Sequence, residues 1–75
     1  VCASRDMLLQ SLQRDYSEAP SAIGVANDGN VLELFKTQDG KTWTLLMSMP
    51  DGTSCVVAAG EGWESLPQQV AGSDA

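Results

Sequence analysis

Three Asp-Gly pairs, at positions 28–29, 39–40 and 51–52, divide the middle of this 75-residue chain into short, even pieces. Each pair is flanked by β-branched, aromatic or large aliphatic residues. Glycine tolerates the positive φ of tight hairpin turns, so Asp-Gly between apolar runs predicts a hairpin. Three such pairs in succession predict four strands in an antiparallel meander. We place these strands at residues 22–26, 31–37, 42–49 and 54–59.

The turn lengths set which residues pair across the sheet. Two-residue turns at Asp28-Gly29 and Asp39-Gly40 would pair Val25 with Leu32 and Leu34 with Leu45. At Pro50-Asp51-Gly52 the proline favours a three-residue loop that sets Met47 opposite Cys55 and Leu45 opposite Val57. These registers put Glu33 on one face and a larger apolar set on the other: Ile23, Val25, Leu32, Leu34, Trp43, Leu45, Met47, Cys55, Val57 and Ala59.

An amphipathic helix is predicted before the strands. Ser4 is a suitable N-cap, and the helix is predicted to run from Arg5 to about Tyr16. Leu8, Leu12 and Tyr16 recur in it at four-residue spacing. Glu18-Ala19-Pro20-Ser21 reads as a connector, because a helix ends before a proline. The expected fold is an α+β domain over residues 1–66, with the helix on the larger apolar face of the sheet. Residues 67–75 are small and polar, which is typical of a flexible tail.

Two cysteines, Cys2 and Cys55, are the only ones in the chain. The sequence has no histidine and no second Cys pair, which argues against a zinc site. A disulfide is favoured over two free thiols, and it would clamp the start of the helix to the sheet. Closing so long a loop is worth roughly 4 kcal/mol in the chain-entropy model, which matters in a small domain.

A disulfide implies an oxidising compartment, so the protein is expected to be periplasmic or secreted. A chain that begins at Val1 fits removal of a signal peptide or trimming of the sequence. No apolar run is long enough to cross a bilayer. The formal net charge of −6 disfavours nucleic acid and anionic membrane surfaces as partners.

No familiar catalytic constellation is present. Serine or cysteine nucleophiles need a base, and histidine is absent. General acid–base catalysis would need a cleft around Glu33, Glu61 or Glu64, and so short a chain is not expected to form one. The Asp-Gly turns lack the alternating ligands of a calcium loop. We therefore predict neither an enzyme, nor a metal site, nor a cofactor.

The face of the sheet that carries Glu33 is too apolar for a solvated surface. We predict that Phe35, Leu46, Val56 and Trp63 there mediate dimerisation or the binding of another protein. The alternative is that Trp63 and the C-terminal segment fold back over this face. Trp43 and Tyr16 are expected to serve in packing.

Several segments are similar to small uncharacterised exported proteins of alphaproteobacteria and their phages. The resemblance covers Cys2 to about Glu64 and is most distinctive in Gly40-Lys41-Thr42-Trp43-Thr44 and Pro50-Asp51-Gly52-Thr53-Ser54-Cys55. It implies a bacterial exported protein with a disulfide and carries over no active site. The expected function is a periplasmic or secreted protein-interaction module. The alternative is a stand-alone structural or accessory protein of the cell envelope or of a phage particle.

Overall fold

The computed structural model describes residues 1–67. Within them the chain forms one helix and a five-stranded antiparallel sheet of order β1-β5-β4-β3-β2. The elements in chain order are β1 (Cys2–Ser4), α1 (Arg5–Tyr16), β2 (Ala19–Val25), β3 (Val31–Lys36), β4 (Thr42–Ser48) and β5 (Thr53–Glu61). The predicted combination of a helix, an antiparallel sheet and a disulfide is confirmed. The sheet has five strands rather than four, because the short strand β1 precedes the helix and pairs with β5.

Helix α1 spans the predicted residues, and both of its ends are capped. The Ser4 hydroxyl accepts a hydrogen bond from the Met7 N–H at 3.3 Å. At the other end Ser17 adopts a left-handed conformation with φ 57°. The Glu18 N–H then donates to the Leu12 carbonyl oxygen at 3.2 Å, which closes a Schellman-type turn. This turn leads directly into β2, so Ala19, Pro20 and Ser21 belong to a strand and not to the predicted connector.

The hairpins agree with the predicted registers in two places and differ in two others. Leu34 pairs with Leu45, and Met47 pairs with Cys55, as predicted. The first hairpin has a three-residue loop closed by the Ala26 N–H and the Asn30 carbonyl oxygen at 2.8 Å. The two-residue turn predicted there is wrong, and the structure pairs Val25 with Val31 instead of Leu32. A bulge in β5 likewise places Ala58, and not Val57, opposite Leu45.

The helix packs on the opposite face of the sheet from the one predicted. Leu12 of α1 forms the buried core with Phe35 and Leu46, and Leu8, Leu9 and Val56 pack against that core. Phe35 is 1% exposed and Leu46 is fully buried. Ile23 and Val25, which we expected in the core, lie exposed on the edge strand β2.

Glu33 explains why the sequence pattern indicated the wrong face. It lies on the helix-covered face and is only 6% exposed, because Arg5, the first residue of α1, reaches over it. Arg5 Nε and Nη2 donate to the two carboxylate oxygens at 3.0 and 2.6 Å. The Ser48 hydroxyl adds a third bond at 3.0 Å. A carboxylate satisfied in this way can be buried, so its presence does not mark the solvent face.

The disulfide joins Cys2 and Cys55, as predicted. These residues are direct partners on the neighbouring strands β1 and β5, with 4.0 Å between their Cα atoms. The bond is therefore a cross-strand link that ties the first residues of the chain to the sheet. The predicted clamp between helix and sheet is wrong in this respect.

Trp63 follows β5 and is held to the second hairpin. The backbone N–H of Trp63 donates to the Gly40 carbonyl oxygen at 2.8 Å, and the backbone N–H of Gly62 donates to the Lys41 carbonyl oxygen at 3.0 Å. Except for Pro67, which is exposed, the predicted tail of residues 67–75 lies outside the described residues.

Candidate functional site

The four residues predicted to bind a partner lie in two different places. Phe35, Leu46 and Val56 belong to the interior between α1 and the sheet. Trp63 lies against Trp43 with the two ring centroids 5.3 Å apart, and does not cover Phe35 or Leu46. The outer apolar patch predicted from these residues is therefore wrong as a surface, since the helix covers Phe35 and Leu46 in the folded chain.

The opposite face of the sheet is apolar and has no covering element among residues 1–67. Directly paired residues of antiparallel strands project to the same side. Leu34 pairs with Leu45 and Leu32 with Met47, so one side of β3 and β4 is aliphatic. We call this surface the open face and define it by Leu32, Leu34, Trp43, Leu45 and Met47, with the Cys2–Cys55 disulfide beside it. All but Leu34 of these five are partly exposed.

The two tryptophans close one end of the open face. The Trp43 ring lies over Gly60, where an added Cβ would come within 3.1 Å of it. Trp63 packs on Trp43 with the ring planes at 61°, an edge-to-face arrangement. Both side chains keep exposed surface. The open face therefore ends in aromatic groups of the kind enriched in protein interfaces.

The β2 edge of the sheet is less suited to binding than the open face. Strand β2 is an edge strand and is exposed along its whole length. It contains Pro20, and its pairing with β3 is interrupted by a bulge between Pro20 and Ala22. Proline and bulges are features by which natural sheets prevent pairing with another strand. The apolar surface, rather than the strand edge, is the candidate binding site.

The carboxylates considered for acid–base chemistry are dispersed. Glu33 is held by Arg5 and Ser48, and Glu61 and Glu64 are exposed near the end of β5. The hydrogen bonds from Arg5 hold the pKa of the Glu33 carboxyl below its usual value of 4.5, against the opposing effect of burial and with help from Ser48. A carboxylate with a lowered pKa and occupied oxygens is a poor general base. The geometry of Glu33 is that of a structural ion pair.

Sequence reasoning missed Glu18. The sequence predicts only a connector at this residue, and the structure buries it to 4% exposure behind the carboxyl end of α1. The burial depends on the left-handed turn at Ser17. A glycine at this position would have indicated such a turn from the sequence, whereas serine does not.

No group of three or more potential metal-ligating side chains is present among residues 1–67. In the same part of the chain, no helix is long and apolar enough to cross a bilayer. No family model, curated protein or solved structure matches the chain.

Proposed function

We propose that the protein is a small exported, non-enzymatic interaction module that binds another protein through the open face of its sheet. The observation that carries this proposal is the apolar character of both sheet faces. One face is covered by α1, and the other presents Leu32, Trp43, Leu45 and Met47 without a covering element among the described residues. In antiparallel sheets with one solvated face, that face is normally polar. A contiguous apolar surface that stays partly exposed is typical of an interaction site.

Export is supported by the disulfide, because disulfides persist in oxidising compartments. The resemblance to small exported proteins of alphaproteobacteria and their phages supports the same compartment. The acidic charge supports a protein partner over nucleic acid.

The test combines photo-crosslinking with size measurement. A photoreactive phenylalanine analogue in place of Met47 samples the open face in the compartment where the protein resides. We expect one reproducible adduct of defined mass. Light scattering of the purified protein over a range of concentrations tells a second copy of this chain from a different partner.

A pair of variants separates binding from folding. Leu45→Glu places a charge at the centre of the open face and should abolish the adduct, while the circular dichroism spectrum stays unchanged. Gln13→Glu adds the same charge on the exposed surface of α1 and should leave the adduct intact. A protein that stays monomeric at all concentrations and yields no adduct would refute the proposal and favour the stand-alone structural role.

A further inference from the structure

A groove of ≈ 440 Å³ lies between the carboxyl end of α1 and the ends of β4 and β5. We call it the Glu18 groove. It is open to solvent, and its walls include Leu12, Tyr16, Glu18, Thr42, Val56 and Glu61. Thr42 pairs with Glu61, and Leu46 pairs with Val56, on the helix-covered side of the sheet. The Glu18 groove therefore lies mainly on the helix-covered side and shares only Trp43 with the residues that define the open face.

Two buried polar atoms of the groove lack a hydrogen-bond partner within the described part of the chain, residues 1–67. They are Glu18 Oε1 and Thr42 Oγ1. An unsatisfied buried polar group costs about 1–3 kcal/mol, and more when it is charged. Buried carboxylates in proteins are normally paired with a cation or accept hydrogen bonds. Glu18 is thus a buried carboxylate for which residues 1–67 supply no partner to the Oε1 atom.

The basic residues of the chain do not pair with the Glu18 carboxylate. Arg5 is bonded to Glu33 and Arg14 to Asp15, and these are the ion pairs within residues 1–67. Lys36 Nζ donates to the Thr37 carbonyl oxygen at 3.4 Å. No basic side chain of the described chain lies within 4 Å of the Glu18 carboxylate.

The helix adds to the negative potential at Glu18. The Schellman-type turn at Ser17 places Glu18 directly after the carboxyl end of α1. The last carbonyl groups of a helix carry a partial negative charge and favour a cation. Both the carboxylate and the helix end therefore favour a positively charged ligand.

We propose that the Glu18 groove binds the ammonium group of a lysine side chain presented by another polypeptide. An ammonium group has three donors on one nitrogen and suits the two acceptors Glu18 Oε1 and Thr42 Oγ1. The aliphatic part of a lysine side chain packs against apolar walls such as Leu12 and Val56. An open groove suits a side chain that projects from a larger surface, whereas small-molecule sites enclose most of their ligand. The net charge of −6 favours a basic partner.

The test is a titration of the isolated ¹⁵N-labelled protein with Nα-acetyl-lysine N-methylamide, followed by amide chemical shifts. We expect shifts concentrated at Leu12, Glu18 and Thr42. The same compound acetylated at Nε keeps the aliphatic stem and loses the charge, and should bind at least about tenfold more weakly. The arginine analogue should also bind more weakly; tighter binding of that analogue would overturn the assignment to lysine.

Three variants complete the test. Glu18→Gln should weaken binding of the lysine compound by about tenfold or more, whereas Glu64→Gln removes an exposed carboxylate outside the groove and should leave it unchanged. Thr42→Val removes the second acceptor while keeping nearly the same side-chain shape, and it should weaken binding of the lysine compound. This variant tests the groove independently if Glu18→Gln fails to fold. Equal effects of the two glutamate variants, or shifts spread over the exposed carboxylates, would overturn the proposal. The titration uses no partner protein, so its outcome is independent of crosslinking at the open face.

Discussion

Glu33 shows how an ion pair can make a buried carboxylate look like a marker of the solvent face. Considered alone, a carboxylate on a strand indicates the solvent side, and this reasoning led us to place the helix on the wrong face. Arg5 and Ser48 satisfy both carboxylate oxygens beneath the start of α1. Ser48 also shares a 2.6 Å hydrogen bond with the fully buried Ser54. Arg5, Glu33, Ser48 and Ser54 therefore form one connected hydrogen-bond network under the start of α1.

The lowered pKa of the Glu33 carboxyl predicts a loss of stability in acid. Its ionised form is favoured in the folded state, so the stabilisation is fully present above the unfolded value of about 4.5 and disappears as the pH falls through the lower folded pKa. Urea unfolding between pH 6 and pH 2 measures this effect. Glu33→Gln should make the acid dependence shallower. An unchanged slope in that variant would contradict the assignment.

Removing Arg5 provides the matching control. Arg5→Met leaves the Glu33 carboxylate buried without its cation and should lower the free energy of unfolding at pH 7 by about 1–3 kcal/mol, less than for a fully buried pair because Arg5 is partly exposed. In the combination with Glu33→Gln much of this loss should be recovered.

At the scale of elements, the local sequence predicted which helix and hairpins form, and in what order, better than it predicted which residues pair between strands. The bounds of α1 and the positions of three hairpins follow from capping, apolar spacing and Asp-Gly turns, all of which act over a few residues. The loop length at Asp28-Gly29 does not follow from these signals. Here the Asp28 carboxylate accepts a hydrogen bond from the Asn30 N–H at 3.0 Å, which fits the longer loop. The added residue shifts the β2–β3 register by one between Ala22 and Val25, up to the bulge after Pro20.

The turn at Gly40 is predicted to tolerate a side chain less well than the turn at Gly29. Both glycines have positive φ, 77° and 89°, so alanine costs about 1–2 kcal/mol at either position. A Cβ at Gly40 would also collide with the Trp63 carbonyl oxygen, whereas a Cβ at Gly29 meets nothing within 4 Å. Gly40→Ala should therefore lower the free energy of unfolding by about 1–3 kcal/mol more than Gly29→Ala. Equal losses in urea unfolding would show that Trp63 is not held against this turn.

At the scale of the whole molecule, the disulfide compensates for a small interior. The buried apolar cluster contains only Leu12, Phe35 and Leu46 among the described residues, with three partly buried neighbours. Domains of this size have little core to stabilise them. The bond between Cys2 and Cys55 spans 53 residues and holds β1 beside β5.

Reduction of the disulfide is accordingly predicted to lower the free energy of unfolding by up to about 4 kcal/mol. Guanidinium unfolding with and without a phosphine reductant measures the change. Cys2→Ser should match the reduced wild type, which controls for effects of the reductant itself. Alkylation of the unreduced protein followed by mass measurement should add no label. Two labelled thiols would contradict both the bond and the argument for export.

The sequence by itself determined the helix, the antiparallel sheet, the hairpin positions and the Cys2–Cys55 pair, because each depends on local signals or on the absence of any other cysteine. Only the tertiary structure decided which face the helix covers. Strands β3 and β4 carry apolar residues on both sides, so their pattern leaves the choice open, and Arg5 and Glu33 are 28 residues apart. The burial of Glu18 was decided in the same way, by a turn that brings the end of α1 over the sheet. Both candidate binding sites, the open face and the Glu18 groove, therefore depend on long-range packing that no single segment of the chain encodes.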